Sequence, residues 1–171
     1  TQPRQERSKR THQLLLDAAL GLFREHGIEA TGVTEIAAAA GVAPATIYRR
    51  FGDKEGLVRA ACEHFTQQGL ALLAEIRVAA EQKAGNGSFI SMLADAIQAV
   101  VLFSHSNLRV LQSLYIRALE DDFHARQLVS LRAAVMDMLK QYFMTRVSEI
   151  RHPEPSLALD FALRQSVAML S

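Results

Sequence analysis

The sequence contains one cysteine, no tryptophan and no long apolar run. The low cysteine count and the short apolar runs each exclude a class of protein. A single thiol, Cys62, excludes an intramolecular disulfide framework and is typical of a reducing compartment. The longest charge-free apolar stretch, Ile36 to Tyr48, is well short of the ~20 residues that span a bilayer. No charged-then-apolar leader opens the chain, so no secretory signal is predicted. We therefore expect a cytoplasmic protein that does not enter a membrane.

Charge is nearly balanced overall but unevenly distributed. The 171 residues include 19 Lys+Arg and 18 Asp+Glu, and 49% are hydrophobic, which is typical of a folded domain with a sizeable core. Basic residues gather in an N-terminal tail, Arg4–Arg10, and in a segment over residues 43–60. The first residue is Thr1 and Ser171 interrupts an apolar helical pattern, so we expect the native chain, its C-terminus above all, to continue further.

Helix-favouring residues dominate and alternating strand patterns are scarce, which predicts an all-α protein. A small N-terminal module, residues 1–52, is predicted to precede a larger helical body, residues 53–171. Gly27 and Gly41 end helices, and Asp53 is a good N-cap for a long helix in which Gly69 is a weak point. The predicted helices span residues 9–25, 33–40, 44–51, 53–83, 88–105, 107–120, 124–150 and 156–170.

Two of the short helices meet at a tight corner around Gly41 and Val42. Helical spacing predicts that Pro44, Ile47 and Phe51 face the core. The remaining residues of this helix then point outward or lie on its flanks: Ala45, Thr46, Tyr48, Arg49 and Arg50.

This outward face combines small side chains with guanidinium and phenol groups. A helix enters the major groove, about 12 Å wide, when the residues nearest the bases are short, and Arg pairs bidentately with guanine. The Tyr48 hydroxyl and the Lys54 ammonium are placed to bond phosphates, which fixes register without reading sequence. The alternative on this geometry alone is an ordinary helical corner whose two arginines, Arg49 and Arg50, are merely solvated.

Residues 27–57 resemble the N-terminal signature of the TetR family of bacterial transcriptional repressors. The matching positions run without a gap: Gly27, Thr31, Val33, Ile36, Ala37, Ala40, Gly41, Val42, Thr46, Tyr48, Phe51, Lys54 and Leu57, with Ile47 in place of Leu. Gly32, Ala43 and Ala45 depart from the pattern. These departures remove a hydroxyl that would contact phosphate at position 32 and the side-chain N-cap of the recognition helix.

The resemblance implies a three-helix helix-turn-helix DNA-binding module followed by an effector-binding and dimerisation body. It assigns DNA contacts to Thr46, Tyr48 and Lys54, and puts Arg49 and Arg50 where specificity varies among members. The basic tail either reaches along phosphates or into a minor groove, or is disordered. The full predicted DNA-contact set is Thr34, Ala45, Thr46, Tyr48, Arg49, Arg50 and Lys54.

The body resembles the family by length and helical pattern only. Its last helix carries apolar residues around most of its circumference, which indicates either a homodimer interface or burial within the monomer. A further helix implied by the resemblance is absent from the sequence. Arg109 and Arg117 either contact an acidic effector or extend to water. Candidate effector-pocket residues, each with core packing as the alternative, are Met92, Phe103, His105, Tyr115, Phe123, Met136 and Tyr142.

No metal site, cofactor or catalytic activity is expected. Asp121-x-x-His124 and Glu149-x-x-His152 have a metal-ligand spacing, but such sites need two further inward carboxylates. Cys62 has Glu63 as a neighbour, which favours the unreactive thiol. The resemblance, together with the outward face of residues 44–51, implies a repressor that binds a palindromic double-stranded DNA operator as a homodimer and is released by a small-molecule effector. The alternative is a helical ligand-binding or scaffolding protein that has lost specific DNA binding.

Overall fold

The computed structural model describes residues 2–83, 89–145 and 147–168, and side chains at 5–76, 78, 91, 94, 95, 98, 99, 101–145 and 147–165. Within these ranges there is no strand, which confirms the all-α prediction. The helices are α1 (Gln2–His26), α2 (Val33–Ala39), α3 (Pro44–Phe51), α4 (Lys54–Lys83), α5 (Phe89–Ser106), α6 (Leu108–Ala118), α7 (Asp122–Met144) and α8 (Pro155–Ala168), with a 3₁₀ turn at Val147–Glu149. The predicted helix ends at Ser88 and Leu170 lie outside the described residues. None of the described helices has both the length and the apolar character that a bilayer crossing requires.

The chain forms two compact units, and neither is continuous in sequence. The first comprises Thr1–Gln67 with Ser104–Leu128, and the second comprises Gln68–Phe103 with Val129–Ser171. The first unit therefore contains α1–α3, the start of α4, α6 and the start of α7. The functional boundary predicted at residue 52 stays a prediction, since compactness alone does not define a functional domain.

The core of the first unit forms around α1. Leu15, Ala19 and Phe23 recur every four residues on one face of this helix and are fully buried. The helix packs against α2 and α6, and the Arg24 Nε donates a hydrogen bond of 2.9 Å to Oδ1 of the buried Asn107. This packing fixes the position of the short helices that follow.

The basic N-terminal tail is helical. α1 begins at Gln2, seven residues before the predicted start at Lys9, and so continues through the segment expected to be an arm. The segment contains Gln, Glu, Arg and Lys, which favour helix, and its only proline lies in the first turn, where a missing N–H costs nothing. The prediction of disorder was therefore wrong, whereas contact of this segment with phosphates or a minor groove stays a prediction.

The second unit has its core between α7 and α8. Leu139 and Phe143 of α7 are buried together with Leu159 and Leu163 of α8. α7 ends at Met144 rather than at the predicted Ile150, and the Thr145 hydroxyl donates to the Tyr142 carbonyl at 2.7 Å. Such local side-chain bonding competes with continued helix, which explains the early end.

Candidate nucleic-acid interface

The corner between α2 and α3 is closed by backbone hydrogen bonds. The Val42 N–H donates to the Ala37 carbonyl at 2.9 Å and the Gly41 N–H donates to the Ala38 carbonyl at 3.1 Å. This is a Schellman motif, which needs a left-handed residue after the helix, and Gly41 has φ +66°. The predicted helix-turn-helix corner is therefore formed as expected.

α3 buries one side and exposes the other. Ile47 is fully buried and Phe51 is half-buried, as predicted, but Pro44 is exposed. The prediction for Pro44 was wrong because this residue lies at the first helical position, where the chain enters from the corner. Ala43 makes no side-chain cap bond, as expected from the missing hydroxyl.

The outer face of α3, defined by Ala45, Tyr48 and Arg49, is open to solvent. All three residues are exposed, and Tyr48 keeps 52% of its surface accessible. Residues separated by three and four positions share one face of a helix, so these side chains stand together. Thr34 of α2 is also exposed, whereas Thr46 is half-buried on the flank.

Arg50 does not point outward with this face. Its Nη1 and Nη2 both donate to Ser8 Oγ at 3.2 Å, and its buried Nε has no hydrogen-bond partner among the described residues. Beside it, the His12 ring stacks on Phe51 with ring centroids 5.2 Å apart. Burial and the neighbouring Arg50 charge lower the pKa of His12, which favours the neutral ring. Arg50 is thus held against α1 on a flank of α3.

Lys54 begins α4 beside α3. The predicted N-cap is formed: Asp53 Oδ1 accepts the Gly56 N–H at 2.7 Å. The Lys54 Nζ donates to the Glu29 carbonyl at 3.3 Å, which leaves further donors on the ammonium for a phosphate. The sequence analysis did not predict that residue 56 must be glycine. A Cβ at this position would lie 2.0 Å from the Phe51 carbonyl oxygen. No local sequence signal indicates that approach.

A cluster of charges joins α6 and α7 to the start of α4. Arg117 Nη1 donates to both Glu55 oxygens, at 2.9 and 2.8 Å, and Arg59 donates to Asp121. Asp121 also contacts Nδ1 of the fully buried His124, at 3.1 Å. Arg117 therefore does not extend to water, and contact with an acidic effector stays a prediction.

Three potential metal ligands lie within this cluster. Ligand atoms of Glu55, Asp121 and His124 are within 4.8 Å of one another. Their carboxylates, however, already accept hydrogen bonds from Arg59 and Arg117. A divalent cation about 5 Å from each guanidinium would be repelled by roughly 7 kcal/mol per pair at an effective dielectric constant near 20. The arrangement therefore favours an ion-pair cluster over a metal site.

The candidate effector-pocket residues are divided between the two units. In the first unit, His105 and Tyr115 are exposed, and the half-buried Phe123 has the Arg59 guanidinium 5.1 Å from its ring centroid. The candidates of the second unit whose side chains are described are half-buried: Phe103, Met136 and Tyr142. Met136 and Tyr142 pack against the α7–α8 core, as their core alternative predicted. The side chain of Met92 lies outside the described residues.

Cys62 is fully buried in the first unit. Burial raises the pKa of its thiol to about 12, so the reactive thiolate is not populated at neutral pH. This agrees with the expectation of an unreactive cysteine.

Comparison with known proteins identifies the N-terminal module. Residues 15–61, from the core of α1 into α4, match the family model of bacterial regulatory proteins of the tetR family. This segment, about a quarter of the chain, is similar to the N-terminal segment of TetR-family regulators. The match contains the whole helix-turn-helix corner and Lys54, and it ends before the second unit begins at Gln68.

Relatives of the TetR family extend this result. The chain is 36% identical over 85 residues to the HTH-type transcriptional repressor ComR of Escherichia coli K12, which covers 50% of this chain and 38% of ComR. A crystal structure of a protein from Mesorhizobium loti MAFF303099, assigned to the same family, has a TM-score of 0.71 at 20% identity. The superposition covers 90% of this chain and 77% of the chain from Mesorhizobium loti. Salmonella enterica GusR has a TM-score of 0.60 at 20% identity, covering 94% and 82%. The matches span less than half of the curated relatives' length, and the structures at this identity show the fold alone.

Proposed function

We propose that this chain is a transcriptional repressor that binds a palindromic DNA operator as a homodimer and releases it when a small-molecule effector binds. The observation that carries the proposal is the outer face of α3. It is solvent-exposed, carries a guanidinium and a phenol beside a small residue, and is backed by the fully buried Ile47. It also lies within the segment that matches the family model.

The chemistry of this face suits the major groove of DNA. Ala45 is small enough to let the helix approach the bases, and its methyl group is suited to contact with a thymine methyl. Arg49 is free to pair with guanine O6 and N7, while Tyr48 and Lys54 bond phosphates and fix the register. Thr34 and Thr46 are proposed as further contacts from α2 and from the flank of α3.

Dimerisation is proposed through the outward face of α8. Leu159 and Leu163 turn inward to α7, whereas Leu157 and Phe161 are exposed by 61% and 65%. These two residues are four positions apart and so form an apolar stripe on one face. A second copy would cover the stripe in an isologous, two-fold contact.

The effector is proposed to act through α4. This helix runs through residues of both compact units, so a change in the second unit is transmitted along it to Lys54. A coupling of roughly 1–3 kcal/mol between two sites lowers operator affinity by about 5–150-fold. The pocket candidates in both units stay proposals, and no metal, cofactor or catalytic activity is proposed.

Selection of bound duplexes from a random pool tests this function. We expect a near-palindromic sequence whose affinity falls by ~10³–10⁵ between 50 and 200 mM salt, as for ~6–10 neutralised phosphates per dimer. Addition of candidate effectors to the selected complex then tests release. Weak binding to every duplex without enrichment would contradict the proposal and favour a helical scaffold that has lost specific DNA binding.

A further inference from the structure

Arg117 lies near the end of α6, far along the chain from the helix-turn-helix, yet it binds residues next to it. Its guanidinium contacts two carboxylates at once. Nη1 donates to both oxygens of Glu55, while Nε and Nη2 donate to Glu29 Oε1 at 3.1 and 2.7 Å. All three nitrogens of the guanidinium are therefore engaged.

Both partners of Arg117 adjoin the proposed phosphate contact at Lys54. Glu55 is the next residue along α4, and the Glu29 carbonyl accepts the hydrogen bond from the Lys54 Nζ at 3.3 Å. Arg117 thus fixes the side chain of Glu29 while the backbone of the same residue fixes Lys54. Glu29 also lies in the connection between α1 and α2, so one guanidinium ties this connection to the start of α4.

The burial of the Arg117 side chain, rather than that of Glu29 (76% exposed) or Glu55 (46% exposed), separates this contact from ordinary surface ion pairs. The Arg117 side chain is only 18% exposed, and its bonds are charge-assisted and forked. Burial lowers the pKa of Arg117, but the hydrogen bonds that it donates to Glu55 and Glu29 outweigh this effect and raise it, so the group stays charged. Exposed pairs with a single contact contribute little to stability, whereas this geometry restricts both partners.

We infer that Arg117 is a positioning residue for DNA binding, which holds Lys54 and the α1–α2 connection in the geometry that contacts a phosphate. This inference rests on the proposed function. It adds a residue of α6 to a surface built from α2, α3 and α4, and it requires no movement of one compact unit against the other, because all of these residues belong to the first.

The test compares Arg117→Ala, Lys54→Ala and the double variant, with Arg109→Ala as the matched control. Arg109 lies on the same helix and is exposed. Affinity is measured as a function of salt for a duplex selected by the wild-type protein and for a random duplex. We expect Arg117→Ala to weaken both duplexes by roughly tenfold and to reduce the salt slope by about 2 per dimer, one phosphate for each subunit. Lys54→Ala should then add little in the Arg117→Ala background, because both changes remove the same contact.

Glu29→Gln provides a variant that keeps the fold if Arg117→Ala does not. The Glu29 side chain is 76% exposed, so its loss of charge weakens the tie without leaving a buried group unpaired. We expect a smaller loss of affinity in the same direction. A lowered melting temperature with unchanged affinity and salt slope in both variants would overturn the inference, as would fully additive losses for Arg117→Ala and Lys54→Ala.

A second readout separates this inference from the proposed function. If the wild-type protein showed no salt-dependent DNA binding, the proposed function would fail. Hydrogen exchange of the amides at residues 28–35 and 53–57 would still decide the positioning role. Faster exchange in Arg117→Ala than in Arg109→Ala supports it, and equal exchange in the two variants overturns it.

Discussion

The two neighbouring arginines of α3 should behave differently when each is replaced by Ala. Arg49 is exposed on the outer face, whereas both Nη atoms of Arg50 are bonded to Ser8 on the flank. A bidentate pair between Arg and guanine is worth about 1–3 kcal/mol of discrimination. To pair with guanine, Arg50 would have to break its two hydrogen bonds to Ser8 Oγ. Each of these bonds is worth roughly 0.5–1.5 kcal/mol, so their loss offsets most of the gain from pairing.

Arg49→Ala should therefore lower affinity for the selected duplex by about 5–150-fold and leave affinity for a random duplex nearly unchanged. Arg50→Ala should lower the ratio of the two affinities by less than about fivefold, since the net gain from its pairing is close to zero. Fluorescence anisotropy titrations at one fixed salt concentration measure both ratios. Single base-pair variants of the selected duplex then locate the position that Arg49 contacts.

Two results for these variants would contradict the roles assigned to Arg49 and Arg50. A loss of specificity in Arg50→Ala as large as that in Arg49→Ala would show that the bonds to Ser8 do not hold Arg50 on the flank. An equal loss on selected and random duplexes in Arg49→Ala would show that Arg49 contacts phosphate rather than a base. Ser8→Ala serves as the control, because it frees Arg50 without removing its charge.

Three further predictions concern stability and assembly. Gly56→Ala should destabilise the protein by about 1–3 kcal/mol or more in urea unfolding, because the added Cβ would lie 2.0 Å from the Phe51 carbonyl oxygen. Phe161→Glu should shift the mass measured by light scattering from a dimer to the 18.9 kDa monomer, because it places a charge in the proposed apolar contact. Asp121→Asn should reduce the loss of melting temperature on acidification. The Phe123 N–H and the Arg59 charge lower the pKa of this carboxyl, so its stabilisation is present above the ordinary value of 3.8 and is lost as pH falls further.

The first two of these predictions have a matched control variant, and all three have an opposing result. Gly21→Ala adds a Cβ that meets nothing within 4 Å and should stabilise α1 slightly, so equal effects at positions 21 and 56 would contradict the steric argument. Ser156→Glu adds the same charge to α8 away from the stripe and should leave the dimer intact. A dimer that persists in Phe161→Glu would exclude this face as the interface. Identical acid sensitivity of wild type and Asp121→Asn would show that the Arg59 pair does not stabilise the fold.

The sequence was most informative where structure is decided locally. Gly41 supplies the left-handed residue of the corner and Asp53 caps α4, and both roles depend on residues within a few positions. The buried side of α3 was predicted from helical periodicity, apart from Pro44, whose place at the entry to the helix exposes it. The family signature lies in this same region, which is why the candidate surface was largely predictable.

The sequence was less informative where a contact joins distant segments. Nothing near Arg50 indicates that Ser8, 42 positions away, accepts its hydrogen bonds. The partners of Arg117 lie 62 and 88 positions away, so the residue was first interpreted as solvated or effector-binding. Long polar side chains on a helix have many geometrically allowed partners, and only the packing of α1 and α6 selects among them.

Amide chemical-shift mapping of the protein with the selected duplex tests the central claim most directly. We predict that the largest shifts fall on Ala43 and on residues 45–50, with further shifts at Thr34 and Lys54, while Leu157 and Phe161 of α8 stay unperturbed by DNA. Shifts centred on another surface, or no shifts at protein and duplex concentrations far above the Kd expected for an operator, would contradict the claim that the outer face of α3 binds DNA.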